Sequence, residues 1–267
     1  MKIAIAFTLA GLLAGAANAG IYVESMRRDR VSGRVLSTEK MYLQNGLGRM
    51  EDSKDGNFTI FKDDGIYHVN PTDHSYRVMD KATMDQMSAR MGDAMAKMKT
   101  QMAAMPPERR AMMEKMMNRM NGAGAAGAGA KPDIYDAVDT GKSETANGRA
   151  CRVWDETRNR EPQAQYCVAP KGSLPGADEF AAFAKRMSAF MQQMSGPMHS
   201  AGAGLMQQQI AVLEKINGFP VVTRHYSGGK LDSNETVIKT WESRTLPAST
   251  FEVPAGFQRK EFMPRGR

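Results

Sequence analysis

Two turn signals, Asp63-Asp64-Gly65 and Asn70-Pro71-Thr72-Asp73, divide residues 58–79 into runs too short for helices. The same punctuation extends back to residue 21, where alternating runs such as "VLSTEKMYLQNGLGRMED" are broken at glycine-containing turns. Short alternating runs between tight turns predict a β-meander over 21–80. With the second turn read as a four-residue loop, Tyr67 is expected opposite Tyr76 and Val69 opposite His74.

At Lys81 the period changes. Met84, Met87, Met91, Met95, Met98, Met102 and Met105 recur every three or four residues, the spacing of one helical face. Pro106-Pro107 ends that helix. "PERRAMMEKMMNRM" restarts it through Met120, and "NGAGAAGAGAK" (121–131) reads as a flexible Gly/Ala linker. Strands return at 133–140 and in a hairpin around Thr157–Pro162. A third helix puts Phe180, Phe183, Met187, Phe190, Met191 and Met194 on one face, and a fourth is "LMQQQIAVLEKI" (205–216). The last strands turn at Gly228-Gly229, and the chain closes on "PASTFEVPAGF". Strand blocks interrupted by helical segments, without strand–helix alternation, predict a single α+β domain over 20–267. Its core would be a curved antiparallel sheet covered by methionine-rich helices, 81–120 forming an insert.

The first nineteen residues read as a cleaved signal peptide: Met1-Lys2, an apolar run to Ala17, and the small-x-small close Ala17-Asn18-Ala19. A mature chain from Gly20 in a bacterial periplasm is expected. Such a compartment favours pairing the two cysteines, Cys151 and Cys167. If the hairpin centres on Asn159 the two lie directly opposite, as do Arg152 and Tyr166, and the bridge contributes about 3 kcal/mol. The chain is basic, with 36 Lys+Arg against 29 Asp+Glu. No nucleic-acid motif accompanies that charge, so an anionic envelope surface is the partner it suggests, beside plain solubility.

Three stretches, "GRMEDSKDGNFTIFKDDGIYHVNPTDHSYRVMD" (48–80), "NGRACRVW" (147–154) and "LPASTFEVPAGF" (246–257), resemble a bacterial envelope family, domain of unknown function 4412. That family is grouped by fold with the lipoprotein carriers LolA and LolB and the sensor RseB. The resemblance spans roughly 34–257. It implies an open, LolA-like half-barrel, apolar on its concave face and lidded by helices; in the carriers that cavity takes acyl chains. The insert 81–131 has no counterpart in the carriers, and their functional residues do not map onto this chain. Fold therefore carries over better than ligand.

The methionines admit several readings. They can be ordinary helix core, although residues 81–120 contain no leucine, isoleucine, valine or phenylalanine. They can be a pliable binding face, because unbranched thioethers repack around varied apolar shapes. They can bind Cu(I) through Met-x-x-Met pairs at 84/87, 95/98, 102/105, 113/116, 117/120 and 191/194, with His199 as the one nearby nitrogen ligand. They can also act as an oxidant sink. No His-x-x-His, Cys-x-x-Cys, Gly-x-Ser-x-Gly or phosphate-loop spacing occurs. The reading carried forward is an exported, non-enzymatic binding protein without cofactor or metal. Its partner would be an apolar small molecule, lipid or lipoprotein segment, held by Met84, Met87, Met91, Met95, Met98, Met102, Phe183, Met187 and Met191.

Overall fold

The computed structural model describes residues 19–103, 105–106, 108–109, 133–194, 212 and 215–262. Residues 1–18 of the expected signal peptide, the 121–131 linker, and most of 107–120 and 195–214 lie outside the described residues. So do the side chains of Met91 and Met191.

The chain runs β1 (Gly20–Asp29), β2 (Val35–Gln44), β3 (Leu47–Asp52), β4 (Phe58–Lys62), β5 (Gly65–Asn70), β6 (Ser75–Met79), α1 (Lys81–Ala103), β7 (Tyr135–Ala146), β8 (Arg149–Arg158), β9 (Glu161–Pro170), α2 (Ala177–Met194), β10 (Gly218–Ser227), β11 (Lys230–Arg244) and β12 (Gln258–Arg259). All twelve strands form one open sheet, in the order β12-β6-β5-β4-β3-β2-β1-β11-β10-β9-β8-β7. It is two meanders, β1–β6 and β7–β11, joined where β1 pairs antiparallel with β11. The short β12 is parallel to β6, and every other pairing is antiparallel.

Tight turns fix these pairings. Asn45-Gly46, Asn147-Gly148, Asn159-Arg160 and Gly228-Gly229 are two-residue loops with both residues at positive φ. That geometry matches the right-handed twist of the flanking strands, and Asn and Gly adopt it at least cost.

Two expected registers move by two residues. The β5–β6 loop is Pro71–His74, so Asn70 faces Ser75, Tyr67 faces Val78 and Val69 faces Tyr76. Tyr67 and Tyr76 meet diagonally instead, their rings stacked at 6.3 Å. In the β8–β9 hairpin the turn is Asn159-Arg160, and a bulge falls between Glu156 and Thr157. Cys167 therefore faces Val153, and Arg152 faces Val168 rather than Tyr166. The Cys151–Cys167 disulfide forms all the same, on the diagonal, with Cα atoms 5.2 Å apart.

Strand alternation sends neighbouring residues to opposite faces, and each face carries its own core. Ile21, Val23, Leu43 and Trp241 join Val153, Cys151 and Cys167 in the largest cluster, capped by Phe183 and Leu174. On the other face Phe58, Ile60 and Val69 pack under Leu246 and Phe251 of the closing segment. Ala137 and Val168 pack under Val212 and Ile216.

The two described helices meet the sheet in different places. α2 lies on β1 and β2, whereas α1 adjoins β6 at one end of the sheet. Asp80 starts α1 as its N-cap, accepting the Thr83 N–H at 2.7 Å.

Candidate functional site

α2 is fastened over the β2–β3 turn by both backbone groups of Asn45. The Asn45 N–H donates to Glu179 Oε2 at 2.7 Å, and the Asn45 carbonyl accepts from Arg186 Nη1 at 2.7 Å. Arg186 also pairs with Asp63 at 3.0 Å. Deeper along the helix, Phe183 lies edge-on to Phe61 with ring centroids 5.5 Å apart. Beneath it is Gly48, where a Cβ would stand 2.4 Å from the Phe183 ring. Glycine is needed here for close approach, not for turn geometry. Phe180, Phe219 and Trp241 form an edge-to-face chain with centroids 4.7 and 4.6 Å apart. Trp241 Nε1 donates to the Pro175 carbonyl at 2.8 Å, which fixes the entry to the helix.

The register turns this face into rows that run across the strands. The first is Ile21–Leu43–Gly48–Phe61–Ile66, covered by Phe183. The second, two residues further along each strand, is Val23–Met41–Met50–Thr59–His68. The third is Ser25–Glu39–Asp52. Beside α2, Phe61, Ile66, Phe183, Met187 and Phe190 line a cavity of about 200 Å³. Past the helix, a groove of about 490 Å³ opens over the second and third rows, floored by Val23, Met41, Met50 and Ile238 and rimmed by Glu39, Asp52 and Asp55. Met50 is 40 % exposed there.

At the far end of the second row Thr59 Oγ1 and His68 Nδ1 are hydrogen-bonded at 3.2 Å. Partial desolvation and then the nearby Arg77 charge lower the His68 imidazole from the ordinary histidine value, although the side chain stays solvent-exposed. Elsewhere, Glu235 binds Arg28 Nη2 at 2.8 Å and Arg224 Nε at 3.0 Å, and Arg224 reaches Glu144 at 2.7 Å. This chain of ion pairs ties strands together and borders neither cavity. Among the described residues no group of three or more His, Cys, Asp or Glu side chains is placed to hold a metal ion. Nor is any described helix long and apolar enough to cross a membrane.

The expected binding residues fall in two places. Phe183 and Met187 lie on α2, packed on the large core and lining the cavity with Phe61. On α1, Met84, Met87 and Met98 are half-buried, Met95 is 54 % exposed and Met102 is buried. Met87 lines a separate depression of about 250 Å³ with Thr83, Arg90, Arg259 and Phe262. The structure thus joins Phe183 and Met187 to the strands of the first row, while the α1 stripe leaves the sheet from the end of β6 and only its start, at Met87, shares a depression with Val78.

Met41 and Met50, unremarked in the sequence reading, face each other across β2 and β3. The Asn45-Gly46 turn would have found them, because a two-residue hairpin centred there sets 44 against 47 and hence 41 against 50.

No curated protein matches the sequence. Among solved structures the chain is similar to an uncharacterized conserved protein from Thermus thermophilus, at 7% identity and TM-score 0.44, over 91% of each chain. It is also similar to the MucA/MucB complex of Pseudomonas aeruginosa, at 10% identity and TM-score 0.38, over 90% of this chain and 56% of that one. MucB alone gives 8% identity and TM-score 0.36, over 90% and 58%. Residues 72–257, from the β5–β6 loop to the closing segment, match the family described as Domain of unknown function (DUF4412), and the chain belongs to that family.

Proposed function

We propose that this chain is an exported, non-catalytic binding protein. It holds an apolar ligand, an acyl chain or a hydrophobic segment, on the sheet face beside α2. One observation carries the reading: past the footprint of α2 the second row loses its cover, from buried Val23 through half-buried Met41 to Met50, which is 40 % exposed over a groove of about 490 Å³. Soluble domains ordinarily cover contiguous apolar surface, and an uncovered stretch marks a place where something binds. Met41, Met50 and Met187 make that surface adaptable, since thioether side chains repack at little cost. Each methylene buried there contributes about 0.8 kcal/mol, so one chain needs no specific polar contact to be held. In this reading the half-buried and buried members of the α1 stripe, Met84, Met87, Met98 and Met102, form a pliable flank that extends the methionine cover, and the solvent-facing Met95 does not belong to it. The disulfide and the apolar amino terminus support a periplasmic location.

The test is a titration with Nile red, a neutral apolar dye. Saturable binding is expected, weakened about tenfold or more by Met50→Asp and left unchanged by Met95→Asp on α1. Loss in Met95→Asp with Met50→Asp unaffected would move the site to the helix, and no saturable binding would remove the proposal. The solvent-facing Met95 also favours sulfur chemistry on α1, either Cu(I) capture or oxidant scavenging. Cu(I) titration of the protein with Met84, Met87, Met95 and Met98 replaced by leucine separates that reading, because metal uptake would vanish while dye binding persisted.

A further inference from the structure

We infer that the groove over the second and third rows takes a basic amphipathic peptide segment. This deepens the binding proposal above by assigning the sign and class of its occupant. The argument is charge complementarity against the trend of the whole molecule. The chain has a formal net charge of +7, yet Glu39, Glu51, Asp52 and Asp55 line the groove against Lys40 alone. Glu51 is already engaged, by Arg49 at 2.7 Å. The other three carboxylates have no cationic partner among the described residues. Asp52 accepts only the Lys54 N–H, and Asp55 only the Asn57 side-chain amide.

Glu39 and Asp52 are paired face to face across β2 and β3. Like charges directly opposite on a sheet destabilise it, and a cation between them reverses the sign. The rim therefore offers negative charge around the apolar floor of Val23, Met41, Met50 and Ile238. Phosphate or carboxylate headgroups are repelled by that rim. The complementary occupant has apolar side chains for the floor and lysine or arginine for the rim, and among amphiphiles that chemistry is characteristic of polypeptide.

The experiment uses the full mature chain and two synthetic peptides of equal length, one alternating leucine with lysine and one leucine with glutamate. Binding is read by fluorescence anisotropy at low and high salt, with Nile red binding and circular dichroism as controls. The Leu/Lys peptide is expected to bind, to displace Nile red, and to weaken as salt rises. Glu39→Gln with Asp52→Asn should weaken it about 3- to 10-fold at low salt, as expected of two solvent-exposed charge contacts, with the circular dichroism spectrum unchanged. Three results would overturn the inference while leaving apolar binding intact: stronger binding of the Leu/Glu peptide or of anionic phosphatidylglycerol vesicles; no effect of the double variant on the Leu/Lys peptide; or binding of dodecyltrimethylammonium but not of the peptide. Failure of Nile red as well as both peptides would instead sink the binding proposal itself.

Discussion

Gly48 shows how much a single position can decide. A methyl group there would stand 2.4 Å from the Phe183 ring, and the ring sits on a helix pinned at Asn45 and cannot simply swing aside. Gly48→Ala is expected to destabilise the protein by about 1–3 kcal/mol, the usual cost of overpacking. Combining it with Phe183→Leu should cost less than the two singles added, because one clash is shared; urea midpoints provide the check. The sequence offered the apolar side of this contact, Phe183 on a helical face, and withheld the other. A glycine in a strand is read first as a turn or bulge, and only the packed structure reveals that a ring lies on it. Met41 and Met50 escaped notice for a different reason. Methionine in the helical insert drew the reading by sheer density, while one methionine in each of two strands becomes a pair only once the register is known.

At the scale of elements, the hairpins account for most of what was legible. Turn chemistry placed β4, β5 and β6 and the disulfide hairpin correctly in the chain, and the resemblance carried by 48–80, 147–154 and 246–257 pointed to the family that matches. Registers were missed by two residues where loops could be counted in more than one way. A bulge such as that between Glu156 and Thr157 leaves no mark in composition. The Cys151–Cys167 bridge spans 16 residues of separation, and opening it in the Cys151→Ala/Cys167→Ala variant should cost about 3 kcal/mol by the loop-entropy argument. Denaturant midpoints with and without reductant measure this. The Arg28–Glu235–Arg224–Glu144 chain makes a second prediction. Burial alone pushes the Glu235 carboxyl up, but hydrogen bonds from Arg224 and Arg28 outweigh it and hold the group below the ordinary carboxylate range. Hydrogen bonding to Arg224 likewise lowers Glu144. Groups with depressed folded pKa values contribute stability above their unfolded values and lose it as pH falls through the folded ones. Stability should therefore decline on acidification below the ordinary carboxylate range. Glu235→Gln should lower stability at neutral pH by about 2–3 kcal/mol, as for lost hydrogen bonds to charge, and flatten that decline.

For the whole molecule, the order of strand and helix blocks was enough to predict one antiparallel sheet with helical additions. It could not say which face each helix covers. Amphipathic spacing shows that a helix has a partner and not where that partner is; α2 found β1 and β2, while α1 meets β6 where the two are joined in the chain. The proposed ligand would lie on the sheet beside α2, against methionines of β2 and β3 and of α2. Methyl NMR of 13C-methionine-labelled protein, titrated with the Leu/Lys peptide and with Nile red, tests this most directly. The account predicts saturable shifts of the Met41 and Met50 methyls, with Met187 following for the dye and Met95 unmoved. Shifts confined to the α1 methionines, with Met41 and Met50 silent, would contradict it.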